Sequence, residues 1–176
     1  MKYIALMLIL VSNCSTLAGD ISPLTIDASD NWKVSYNKEV NFYTITNQSN
    51  NGSSKLFFGF FPPVSKDDIL DNVEKIAQGV SEELNNSFWV RFLNWLTGSS
   101  FNNSFVMHEI VGKEYSGHYA EFKLYESVHI VFIFGNDSEA WSGQFMGIKE
   151  MSKEAMNIIK NIKNTVHQSG ARSRRL

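Results

Sequence analysis

Val128-His129-Ile130-Val131-Phe132-Ile133-Phe134 constrains this chain more than any other stretch. His129 is its only polar residue, and Gly135-Asn136-Asp137-Ser138 follows as a turn. A strand without a polar side has no face to give to water. It is therefore predicted to be a central strand, covered on both faces.

The flanking segments supply its neighbours. Trp32, Val34 and Tyr36 alternate with Lys33 and Ser35 at the period of a half-buried strand. Val40, Phe42, Thr44 and Thr46 alternate with Asn41, Tyr43 and Ile45 as a second strand, and Asn47 to Ser54 reads as a turn. Lys55 to Phe61 is a largely apolar strand ended by Pro62-Pro63. Phe105 to Val111, Gly117 to Leu124 and Ala140 to Met146 complete the set.

Two amphipathic helices are predicted. Ser65 is an N-cap, followed by Asp67 and Asp68 where the helix dipole favours anions. Ile69, Leu70, Val73, Ile76, Ala77, Val80 and Leu84 then form an apolar stripe. Ser152 is expected to cap a final helix in which Ala155, Met156, Ile159, Ile162 and Val166 share a face. The order is three strands, a helix, an insertion, four strands and a helix. Short turns join the later strands, which predicts an antiparallel meander. The expected fold is α+β: one antiparallel sheet of six to seven strands with both helices packed on one face.

The ends carry other information. Lys2 and the apolar run Tyr3 to Val11, followed by small polar residues, have the order of a secretory signal peptide over residues 1–18. Cleavage after Ala18 competes with a lipoprotein-type processing site at Val11-Ser12-Asn13-Cys14, where Cys14 would be acylated and tether the chain to a membrane. Both routes predict an exported, periplasmic or secreted protein. Residues 19–30 are expected to be a loose arm, residues 31–166 the domain with an insertion at 85–104, and residues 167–176 a disordered basic tail.

Three stretches resemble the PsbP/Mog1/DcrB-like group of small α+β domains. They are Trp32-Lys33-Val34-Ser35-Tyr36, Pro63-Val64-Ser65-Lys66-Asp67-Asp68-Ile69, and Trp141 to Gly147 followed by the helix with Ala155-Met156-Asn157-Ile158-Ile159-Lys160-Asn161-Ile162. The resemblance covers roughly Trp32 to Ile162. It implies an accessory, chaperone-like or partner-binding domain, or an immunity protein against a secreted toxin. It brings no catalytic residues.

Little in the chain suggests chemistry. The 16 Lys+Arg against 18 Asp+Glu leave a formal charge of −2, so nothing electrostatic points to nucleic acid. One Cys makes neither an internal disulfide nor a Cys-based zinc cluster. There is no His-Glu-x-x-His, no Gly-x-Ser-x-Gly and no Gly-rich phosphate loop. Asp67-Asp68 and Glu82-Glu83 are helical neighbours whose side chains point apart. Of His108, His118, His129 and His167, the pair His118 and His129 is the candidate metal site, if they meet across strands beside Glu109 or Glu121. The plainer expectation is strand-face histidines, no cofactor and no enzyme. Asn47, Asn51, Asn85, Asn102 and Asn136 begin Asn-x-Ser sequons, which matter only in a eukaryotic secretory pathway.

One segment stands out as a surface. Phe88 to Leu96 contains Phe88, Trp89, Phe92, Leu93 and Leu96 on one helical face, with only Arg91 and Asn94 polar. A short helix this apolar must be covered. It either closes the core or presents Phe88, Trp89, Arg91, Phe92 and Trp95 to a protein partner or a membrane surface.

Overall fold

The computed structural model describes residues 23–49, 52–87, 104–124 and 127–165. The expected signal peptide, Cys14, the apolar segment Phe88 to Leu96 and the basic tail lie outside these residues.

Nine strands and two helices are described in the order β1 (Leu24–Thr25), β2 (Trp32–Asn37), β3 (Phe42–Ser49), β4 (Gly52–Phe61), α1 (Lys66–Asn86), β5 (Phe105–Val111), β6 (Ser116–Leu124), β7 (Ser127–Gly135), β8 (Ala140–Ile148), α2 (Lys149–Lys160) and β9 (Lys163–Asn164). Seven strands form one sheet in the order β2-β3-β4-β8-β7-β6-β5, and β1 pairs with β9 in a second, two-stranded sheet. Every pairing is antiparallel. The fold is α+β, built from two meanders that meet where β8 lies against β4.

β7 is the organising strand, and every residue from Val128 to Gly135 is buried. Its two faces pack into different cores. Val131 and Ile133 meet Ile69, Val73 and Ala77 of α1, together with Ala120 and Phe122 of β6. Val128, Ile130, Phe132 and Phe134 join Phe58, Trp141, Phe145 and the α2 residues Ala155, Met156, Ile158 and Ile159. Alternate residues of a strand point to opposite faces. The helices therefore lie on opposite sides of the sheet, and the expectation that both pack on one face is corrected. The reason is already in β7: a strand apolar on both faces needs a cover on each.

Local signals place α1 well. The Ser65 Oγ accepts from the Asp68 N–H at 3.2 Å and donates to Asp68 Oδ2 at 2.7 Å. α2 starts earlier than expected, directly after β8, with Ile148 at the N-cap. Ser152 sits inside it and bonds back to the Lys149 carbonyl at 2.8 Å.

The expected loose arm is pinned from Pro23 onward. Leu24 is buried in the α2-side core, and its N–H donates to the Tyr43 hydroxyl at 3.0 Å. The Thr165 N–H donates to the Pro23 carbonyl at 2.9 Å, and Ser29 Oγ donates to Glu154 at 2.6 Å. The domain thus begins before Trp32 and is closed by its own two ends.

Candidate functional site

Register fixes what each face presents, because directly opposed residues in an antiparallel sheet share a face. On the α1 side three rows cross the sheet. One runs Met107, Ala120, Val131, Gln144, Phe57, Thr44, Ser35. The next runs Glu109, His118, Ile133, Ser142, Gly59, Phe42, Asn37, and the third Phe105, Phe122, His129, Met146, Lys55, Thr46, Lys33.

α1 packs mainly on β6 and β7 and less on β5, and Phe61 at the end of β4 joins the same core. Among the described residues, no helix lies over the other half of that face. This open half is built by β8, β4, β3 and β2. Phe57 and Phe42 stand at its centre with ring centroids 6.2 Å apart. Met146 is 45% exposed beside them, and Lys33 and Lys55 rim the patch. Gly59 lies in the same row as Phe42, and a Cβ there would come within 2.9 Å of the Phe42 ring. The glycine lets that ring lie flat across β4. Such a surface offers apolar contact framed by hydroxyls, an amide and two cations.

The two candidate histidines do not meet. His118 lies opposite Glu109 and Ile133, whereas His129 lies opposite Phe122 and Met146. They share a face but stand four strand positions apart, about 13 Å at the usual rise. Glu121 belongs to the other face. Only Glu109 is a direct neighbour of His118, and among the described residues no group of three metal-binding side chains gathers. His129 is instead a core residue. Its Nε2 lies 2.8 Å from Gln144 Oε1, and its ring lies 5.8 Å from Phe122. Burial holds its pKa below the ordinary imidazole value, partly opposed by the Gln144 bond. Burial thus favours the neutral ring, and its Nε2–H tautomer donates a hydrogen bond to the amide oxygen. His118 Nδ1 is enclosed with no hydrogen-bond partner among the described residues.

The α2 side carries the larger core, although Val34, Phe60 and Val106 are exposed on it. Tyr36, Tyr43, Phe58, Gly143, Phe132, Tyr119 and His108 form one row across all seven strands. Phe58 and Phe132 face each other across Gly143 at 6.3 Å. His108 stacks on Tyr119 at 4.7 Å at the β5 end. Desolvation, then the neighbouring Glu121 charge, raises the Tyr119 phenol above its usual value.

The surface expected at Phe88, Trp89, Arg91, Phe92 and Trp95 lies outside the described residues. The open half-face was not anticipated. A signal for it exists in β3, where Phe42, Thr44 and Thr46 alternate with the buried Tyr43, Ile45 and Asn47. Threonine at two of three positions marks a face that no core claims.

No protein-family model matches the chain, and no curated protein matches it.

Proposed function

We propose that this chain is an exported, non-catalytic protein that binds a protein partner across the open half of its α1-side face. The observation that carries this reading is the group formed by the half-buried Phe42 and Phe57 and the exposed Met146 on the sheet, rimmed by Lys33 and Lys55. A preformed sheet face costs little ordering on binding, and aromatic side chains supply contact area at low entropic cost. The reading fits an inhibitor or immunity role, in which the partner is blocked by occlusion, and equally an envelope accessory role. The signal-like start at residues 1–18 supports export, and acylation at Cys14 would add a membrane tether. The resemblance to PsbP/Mog1/DcrB-like domains supports the same class of function.

The test is crosslinking co-purification from the native host with three full-length baits. These are the wild type, a Phe57→Glu/Met146→Glu variant, and a Trp89→Ala/Phe92→Ala variant, each of verified normal folding. The expected result is a stoichiometric protein recovered by the wild type and lost with Phe57→Glu/Met146→Glu. Equal recovery by that variant removes the open face as the binding surface. Loss only with Trp89→Ala/Phe92→Ala moves the surface to the apolar segment. Intact mass of the mature protein separates a Gly19 terminus from an acylated Cys14.

A further inference from the structure

The outer edge of β5 is a second surface, independent of the open face. β5 is an edge strand of the sheet, and among the described residues nothing hydrogen-bonds to it from outside. Its sequence, Phe-Val-Met-His-Glu-Ile-Val, contains no lysine, proline or glycine. Edge strands are normally blunted by lysine, other charges or proline, as Lys33 does on β2, the opposite edge, and Glu109 is the one such residue on β5. Val106 is 50% exposed and Val111 is 66% exposed, so apolar side chains flank, on both faces of the sheet, a backbone row that no described residue pairs with.

We infer that the outer edge of β5 pairs antiparallel with the same edge of a second copy of this chain, joining two sheets into one. The strand is self-complementary. Full overlap of Phe105–Val111 with its own copy sets His108 opposite His108 at the two-fold axis. Val106 then faces Ile110, Phe105 faces Val111, and Met107 faces Glu109. Each opposed pair shares a sheet face, apolar meets apolar at four of the seven positions, and no two carboxylates meet. Because β5 has an odd number of residues, this one register satisfies both the whole backbone row and the facing of the side chains.

Analytical ultracentrifugation of the purified mature chain between about 1 and 100 µM tests this. The wild type is expected to form a concentration-dependent dimer. Val106→Lys/Val111→Lys, at two exposed positions, is expected to raise the dissociation constant by roughly tenfold or more. Phe57→Glu/Met146→Glu is expected to stay dimeric, which separates this edge from the proposed partner surface. Hydrogen exchange on the wild type gives a measurement that needs no variant: backbone amides of β5 gain protection as concentration rises. A monomer throughout the range overturns the inference. So does a dimer that Val106→Lys/Val111→Lys leaves intact, or β5 amides whose protection does not change with concentration.

Discussion

The Tyr115 hydroxyl donates to Glu139 Oε1 at 2.5 Å, joining the turn before β6 to the turn before β8. The same carboxylate oxygen accepts from the Asn164 side-chain amide at 2.7 Å, and the Asn164 backbone N–H donates to Glu114 Oε2 at 2.7 Å. Asn164 belongs to β9, whose partner β1 contains the buried Leu24. Two carboxylates therefore hold the C-terminal end of the domain, and through it the N-terminal end, against the top of the main sheet.

Tyr115→Phe keeps the ring among Phe134 and its neighbours and removes only the donor. A hydrogen bond to a charged acceptor is worth about 1.5–3 kcal/mol, so a loss of that order in urea unfolding is expected at neutral pH. Burial first, then the Glu139 carboxylate, pushes the Tyr115 phenol above its ordinary range. A group with a raised folded value contributes stability that is complete below its unfolded value and is lost as pH rises. The wild type is thus expected to weaken above about pH 10, the phenol's unfolded value. Tyr115→Phe loses less over the same rise, and unfolding midpoints on either side of that pH check it.

His129 sets the opposite limit. Its folded value is depressed by burial, so the unfolded chain takes up a proton that the native chain refuses. Stability is complete above the unfolded value of about 6.5 and falls as pH drops below it, by at most about 1.4 kcal/mol per pH unit. His129→Gln keeps a polar partner for Gln144 and removes the titration. The measurement is the difference in unfolding free energy on either side of that pH. A wild-type slope that persists undiminished in His129→Gln would assign it to other groups.

Leu24→Ala tests the closure of the ends. Leu24 is nearly fully buried in the α2-side core, and such truncations cost about 2–5 kcal/mol. A loose arm would show almost no change. The same variant is expected to speed hydrogen exchange at Lys163 and Asn164, the partners of β1.

Most of the sheet was legible because period-two alternation and turn residues are local signals. Ser65 marked the start of α1 in the same way. The two-residue strands β1 and β9 were not legible, since a two-residue strand has no period and its partner lies far along the chain. The separation of His118 and His129 could not be read either, because cross-strand neighbours depend on register and not on residue type. The sides taken by the helices were half legible: the two-sided burial of Val128 to Phe134 asked for cover on both faces, and only the helices were available to give it.

Three glycines separate close approach from simple flexibility. A Cβ at Gly117 would come within 2.1 Å of the Ile133 carbonyl oxygen, and one at Gly143 within 2.2 Å of the Phe57 carbonyl oxygen. Both obstacles are backbone of a neighbouring strand, so alanine there must push the sheet apart. A cost at or above the upper end of the usual 1–3 kcal/mol or so for overpacking is expected. Gly79, in the interior of α1, has nothing within 4 Å of its would-be Cβ. Gly79→Ala is expected to stabilise by about 0.8–1 kcal/mol through helix propensity alone. Thermal unfolding of the three single variants gives the signs directly.

Phe57 and Phe58 are consecutive in β4 and so point to opposite faces. Phe58 is fully buried and rings with Tyr43 at 4.9 Å and Phe134 at 5.5 Å, whereas Phe57 is half-buried on the open half-face. Phe58→Ala is expected to cost about 3–5 kcal/mol, the usual range for a buried Phe. Phe57→Ala removes less buried area and leaves no closed cavity, so its cost is expected to stay near 1 kcal/mol, roughly in proportion to the area it hides. The comparison bears on function as well as on stability. If Phe57→Ala costs as much as Phe58→Ala in the full chain, then something within the molecule already covers the patch, and a partner cannot reach it without displacing that cover. A small cost for Phe57→Ala together with loss of the partner would show a surface retained for binding and not for folding.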